Sequence, residues 1–222
     1  MWGHILEEGP ESGIMEGLER MFVNSHLKHI FQAHFEIKVF SRLLSHNGIN
    51  INGGSILDAG CGAGFGLELI KERFKPKSLF GIDIDPLEVQ LAKSRDVVKS
   101  IYTKDLADTR FKSSSFDAIF VFTVLHHMPH WKLGLKELNR ILKPGGMLLL
   151  NEHNRHSVEA MEKTLGIHHP EGARFSWKEL EEGLRKADFG IIDKSIYLGF
   201  FGFYICKALK SDQNDYSIIQ EQ

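Results

Sequence analysis

"SILDAGCGAGFG" (residues 55–66) sets an aspartate at the end of a short apolar run and follows it with four glycines in seven residues. The run reads as a buried strand and the next stretch, "GLELIKERFK", has helical spacing, so the glycines fall at a strand-to-helix turn. A phosphate-binding loop would need a lysine and a hydroxyl at its end, G-x-x-x-x-G-K-[ST], and this one has neither. A dinucleotide loop would need G-x-G-x-x-G. Counting from Gly60 the last position holds Phe65, and counting from Gly62 it holds Leu67.

Asp58 narrows the choice. A carboxylate beside the loop repels phosphate and attracts an ammonium. S-adenosylmethionine carries an ammonium and a carboxylate on its methionyl end and no phosphate. Its carboxylate suits the N–H groups and positive dipole end of the following helix. Glycines at 60, 62 and 64 let the backbone turn tightly and approach the ligand.

Around this loop the chain alternates short apolar runs with amphipathic ones. "SILDAG", "SLFGIDID", "VVKSIYT", "FDAIFVF" and "GGMLLLNE" read as buried strands, with "GLELIKERFK", "DPLEVQLAKSR" and "WKLGLKELNRILK" as helices between them. That alternation predicts a doubly wound, mostly parallel sheet with helices on both faces. Ser176, with Glu179 three residues on, predicts a capping box opening the helix of 176–187. "GIIDKSIYL" and "GFYICKALK" are too close for a helical crossover and should pair antiparallel, giving a seven-stranded sheet with an antiparallel C-terminal strand pair. Residues 11–46 carry a broad apolar stripe at helical spacing. The expected division is an N-terminal helical cap or lid at 1–50, a ligand-binding domain at 51–210 and a polar tail at 211–222.

Composition excludes several classes. Lys+Arg at 27 against Asp+Glu at 29 leaves a net charge of −2, so no nucleic-acid partner is expected. Two cysteines form no metal-spaced set and no disulfide framework, as a reducing compartment would favour. "MWGHILEEGPESG" has acids where a signal peptide needs a basic start. The longest apolar run, 196–206, is well short of the roughly 18 residues of a membrane span. A soluble, cytoplasmic protein is expected; its oligomeric state is not legible.

The ordered motifs resemble the class I (Rossmann-like) S-adenosylmethionine-dependent methyltransferase family of small-molecule type. "ILDAGCGAGFG" resembles its first motif, an acid followed by G-x-G-x-G, and the likeness covers roughly residues 54–152 plus the final strand pair. It implies S-adenosylmethionine as cofactor, held by Asp58 and the loop residues Gly60, Cys61, Gly62 and Gly64. "LFGIDIDP" implies Asp83 on the ribose hydroxyls and Ile84 against the adenine. "KDLADTRF" implies Asp105 on the adenine amino group and Leu106 offering its backbone N–H, and Phe122, at the end of "FDAIFVF", is counted with the cofactor-binding residues.

Some of these residues fit other roles as well. Asp83 sits where a helix cap would, although Asp85, directly before Pro86, is the better cap. Asp117 reads as structural, and Cys61 reads as a small packing residue at the turn as well as part of the cofactor loop.

Methyl transfer needs chiefly an aligned nucleophile and exclusion of water. His126 and His127, just past the fourth strand, are the candidate catalytic pair, as general base or acceptor contact. "HHMPH" (126–130), "HNRH" (153–156) and "HH" (168–169) could converge near the pocket mouth. They lack a known zinc spacing, and no metal is assigned. The segments 11–46 and 153–175 are expected to choose a small-molecule acceptor, with oxygen, nitrogen and carbon all open. A protein that binds S-adenosylmethionine without transferring methyl, as a sensor or subunit, would carry the same aspartates. A nicotinamide oxidoreductase is disfavoured by the failed fingerprint.

Overall fold

In a computed structural model, residues 35–98, 100–165, 168–170 and 172–209 are described. Most of the expected N-terminal cap, with His26, His29, Phe31 and His34, lies outside the described residues, as does the polar tail. Seven strands form one sheet: β1 (Ser55–Ala59), β2 (Ser78–Asp83), β3 (Ile101–Thr103), β4 (Phe116–Phe122), β5 (Leu142–His153), β6 (Phe189–Tyr197) and β7 (Phe201–Ala208). Their order is β3-β2-β1-β4-β5-β7-β6. β3 through β5 run parallel, and β7 is antiparallel to both β5 and β6. The expected architecture is the one observed.

The helices are α1 (Ile37–His46), α2 (Phe65–Phe74), α3 (Pro86–Ser94), α4 (Trp131–Ile141), α5 (Arg155–Leu165) and α6 (Trp177–Lys186). The two-residue period of the central strands assigns their side chains to two hydrophobic layers. Ile56, Ala118, Phe120, Leu149 and Phe203 pack with residues of α1, α2 and α3. Leu57, Ile119, Val121, Leu150 and Tyr204 pack with residues of α4 and α6. Burial on both faces explains why these strands read as continuous apolar runs. Each fully buried Leu or Phe contributes about 1.5–3 kcal/mol.

Local signals set the boundaries. Asp85 caps α3 by accepting from Leu87 N at 2.8 Å, with Pro86 in the first turn. The Ser176–Glu179 capping box opens α6. Asp117 ties strand starts together, accepting from Ser55 N and from Lys143 Nζ, each at 2.8 Å. Gly183, inside α6, allows a helix crossing: a Cβ there would lie 2.5 Å from the Trp131 ring.

Two strand boundaries differ from the sequence reading. β3 is three residues long, because Val97 and Val98 pack onto the α1–α3 layer from a connecting segment instead of joining the sheet. β5 starts earlier than "GGMLLLNE", since Leu142 pairs with Phe116 ahead of an irregularity at Phe116–Ala118.

Candidate functional site

The strand order reverses at β1, which lies between β2 and β4, and the glycine loop leaves its carboxyl end. Open α/β sheets bind ligands at this kind of switch point. Gly60 N and Cys61 N both donate to Ile82 O, at 2.8 and 2.9 Å, and Gly62 N donates to Asp83 Oδ2 at 2.8 Å. The loop is therefore fastened to the end of β2. Gly60 has φ +81°, and a Cβ on it would run into Val124. Beneath the loop Asp58 is buried, and the absent side chain of Gly66 makes room for it: a Cβ there would sit 2.6 Å from Asp58 Oδ2 and 3.4 Å from Phe122 Cε2. Phe122 is itself buried and stacks on Phe120 at 5.6 Å.

The next predicted residues lie at or just past the ends of β2 and β3, on one side of the strand that carries the loop. Asp83 Oδ1 accepts from Asp85 N at 3.0 Å, and burial raises its carboxyl above the ordinary aspartate range. Ile84 leaves 45% of its surface exposed, unusual for an isoleucine at a strand end. Lys104 N donates to Asp83 O at 2.9 Å, which draws Asp105 alongside. Asp105 is exposed and accepts from Ala107 N at 2.7 Å, whereas the Leu106 side chain is buried in the core. Cys61 is buried among Asp58, Asp83 and Glu88. Burial and these acids push its thiol far up, which favours a packing role.

On the other side of the switch point, β4 passes through Thr123 (φ 55°) into a short 3-10 turn, Leu125–His127. Glu152, near the end of β5 and fully buried, organises that turn. Its Oε1 accepts from Val124 N at 2.8 Å and Leu125 N at 2.6 Å, and its Oε2 meets His126 Nδ1 at 2.6 Å. Complete burial raises the Glu152 carboxyl, with the backbone donors opposing it. The rings of His126 and His127 lie 4.1 Å apart, and His169 stands 5.3 and 5.1 Å from them. His153 is 5.4 Å from His126 and bonds Ser157. His169 faces Glu162, Nδ1 to Oε1 3.4 Å, and burial lowers its pKa.

Three separate histidine motifs thus contribute to one cluster, while His130, His156 and His168 remain exposed. Glu152 and Glu162 escaped sequence reasoning. Glu152 had a signal, an acid ending an apolar strand; Glu162 had none.

The turn joining β6 to β7 lies at this same rim, because Phe201 pairs with His153. It presents Leu198, 92% exposed, and Phe200, 50% exposed. Asn154 Nδ2 and Trp177 Nε1 anchor it through Gly199 O at 2.8 and 3.0 Å. No helix among the described residues is long and apolar enough to cross a membrane.

A glycine loop at the switch point of a doubly wound sheet, with acids at the ends of β1 and β2, defines a Rossmann-like ligand-binding domain. Residues 57–150 match the family described as a methyltransferase domain. Over that stretch the chain is similar to the class I S-adenosylmethionine-dependent methyltransferases, a likeness that supports S-adenosylmethionine as cofactor. It is 30% identical over 102 residues to the phthiotriol/phenolphthiotriol dimycocerosates methyltransferase of Mycobacterium leprae, covering 45% of this chain and 38% of that one. It is 26% identical over 119 residues to a fatty-acid O-methyltransferase of Mycolicibacterium smegmatis, covering 52% and 43%. The chain thus spans about two-fifths of the length of these curated relatives. In fold it is similar to a chain from the complex of the Haloferax volcanii Trm112 methyltransferase activator with a methyltransferase. That likeness has a TM-score of 0.69 at 20% identity, over 83% of this chain and 93% of that one.

Proposed function

We propose that this protein transfers a methyl group from S-adenosylmethionine to a small-molecule acceptor with an apolar body. The observation that carries the reading is the glycine loop fastened to Asp83 with Asp58 buried beneath it. The residues fit the cofactor on a test independent of the family. Gly62 has φ +49° and nearly open space where its side chain would stand, so a ligand can lie on the backbone. Asp83 Oδ2 accepts from Gly62 N and Glu88 Oε2 stands 3.9 Å from that space, and these carboxylates favour a ligand with an ammonium and hydroxyls over one with phosphates.

Asp58 would hold the ammonium, and the backbone of Gly60, Cys61, Gly62 and Gly64 would receive the methionyl carboxylate. Asp83 accepts from the backbone N–H groups of Gly62 and Asp85 on different oxygens and would take a ribose hydroxyl as well. Ile84 would cover the adenine face, Asp105 would take its amino group, and Leu106, its side chain committed to the core, would contribute only its N–H. Phe122 would support Asp58 from below.

When bound, the cofactor supplies an electrophilic methyl on a sulfonium. The protein then has to aim an acceptor atom at it and exclude water. His127, half-buried, would contact the acceptor, and His126, bonded to Glu152, would position it. The exposed Leu198 and Phe200 at the rim favour an apolar acceptor body, in keeping with the lipid substrates in the relatives' names.

Calorimetric titration with S-adenosylmethionine and its demethylated product, with NAD as control, tests the cofactor half. Micromolar binding of the first two alone is expected, and silence toward both overturns the reading. Turnover with long-chain hydroxy or carboxylic acids tests the acceptor half, through release of the demethylated cofactor. Binding without release toward any acceptor would make the protein a cofactor sensor or subunit.

A further inference from the structure

We infer that His126, His127 and His169 form a binding site for a borderline divalent transition metal ion, Zn²⁺ being the first expected occupant. This revises the sequence reading, which assigned no metal, and it does not depend on methyl transfer. One ligand atom from each of the three histidines lies within 4.8 Å of the other two. A tetrahedral ion with bonds of about 2.0–2.1 Å needs ligand atoms about 3.3–3.4 Å apart, so side-chain shifts of roughly 1 Å complete the set.

Gathering these nitrogens carries a cost when no ion is bound. Imidazoles brought together away from water lose hydration, and like-charged rings repel once protonated. A cation among them reverses the sign of that cost. Three nitrogen donors with no thiolate suit zinc and its neighbours over calcium or magnesium, and three protein ligands leave a fourth position for water or an acceptor oxygen.

The surroundings supply the second, independent argument. Imidazoles that ligate metal characteristically present their other nitrogen to a carboxylate or carbonyl, which fixes the tautomer and the ring direction. Here His126 does so with Glu152, and His169 Nδ1 stands 3.4 Å from Glu162, within ion-pair reach. His126 Nδ1 meets Glu152 at 2.6 Å, which directs Nε2 away from Glu152. His169 lies against Glu162, which Arg174 Nη2 holds in turn at 2.9 Å. Ligands come from the β4 exit and from beyond α5, and Glu152 comes from β5, all at the rim where ligands bind.

The test uses the full chain, stripped of any purification tag and of metal, and titrated with Co²⁺ and Zn²⁺. One ion per chain is expected, with the visible absorption of four-coordinate Co²⁺. His127→Ala should abolish that band; His127 is half-buried, so its removal leaves the core intact. His169→Ala should do the same, and Glu162→Gln, which keeps the ligands, should weaken binding about 10–100-fold. His130→Ala, at an exposed histidine outside the cluster, should change nothing. Unfolding curves of each apo variant separate lost metal from lost fold. Metal bound as tightly and in the same ratio by folded His127→Ala and His169→Ala would overturn the site. So would a loss in His130→Ala equal to theirs, or no stoichiometric binding by the parent.

Discussion

Asp83 Oδ2 accepts the backbone N–H of Gly62 at 2.8 Å, so the end of one strand fixes the shape of the loop that follows its neighbour. Asp83→Ala removes this acceptor together with the proposed ribose contact. It should weaken S-adenosylmethionine by about 1–3 kcal/mol, the range for hydrogen bonds to a charged group. Asp83→Asn keeps one carbonyl oxygen for Gly62 and should lose less. Calorimetry on both variants checks the order; equal binding by parent and Asp83→Ala would remove the ribose role.

Gly60→Ala should cost stability as well as affinity. Its φ of +81° lies in the left-handed region, and the new methyl would meet Val124. Strain of about 1–3 kcal/mol is expected, visible as a lower denaturant midpoint. A midpoint equal to the parent's would mean that the loop relaxes freely.

Gly183→Ala sets helix propensity against packing. Alanine gains about 1 kcal/mol inside a helix. Its Cβ would lie 2.5 Å from the rigid Trp131 ring, and overpacking of that kind costs about 1–3 kcal/mol. The net effect should be destabilising, and a Trp131→Leu background should turn it stabilising. Thermal unfolding of the four proteins reads the cycle.

Glu137 gives the fold an acid-sensitive tie. It accepts from Thr109 N at 2.9 Å and from Arg140 Nε at 2.6 Å. Burial raises its pKa, but the bonds from Arg140 and Thr109 outweigh this and hold it below the ordinary glutamate range. The folded value is the depressed one. Its contribution is therefore fully present above the unfolded pKa of about 4.3 and is lost as pH falls through the folded value. Glu137→Gln should be less stable than the parent near neutral pH by about 1–3 kcal/mol, and the gap should close on acidification below pH about 4. Denaturant titrations across that range check the sign.

The fold was legible because its signals are local. Strand runs, the glycine turn, Asp85 before Pro86, and Ser176 with Glu179 each act within a few residues. The proposed cofactor residues rest on equally local signals, since Asp58 and the glycines are contiguous and Asp83 and Asp105 follow strand runs. The histidine cluster does not. His169 reaches His126 and His127 only because the chain beyond α5 folds back over the carboxyl end of β4. Glu162 acquires its role from that return, which no spacing encodes. β3 was read too long for a related reason: Val97 and Val98 are apolar enough for a strand, but the helical layer claims them.

The reversed direction of β7 delivers the turn at 198–200 to the rim where the parallel strands end. Its anchors, Asn154 and Trp177, hold Gly199 through a single carbonyl and leave the flanking side chains outside both hydrophobic layers. The turn thus separates its frame from its chemistry. Leu198 and Phe200 can be exchanged for other side chains to alter what the rim admits, while the backbone carbonyls of Gly199 and Phe200 go on accepting the hydrogen bonds that tie the turn to Asn154 and Trp177.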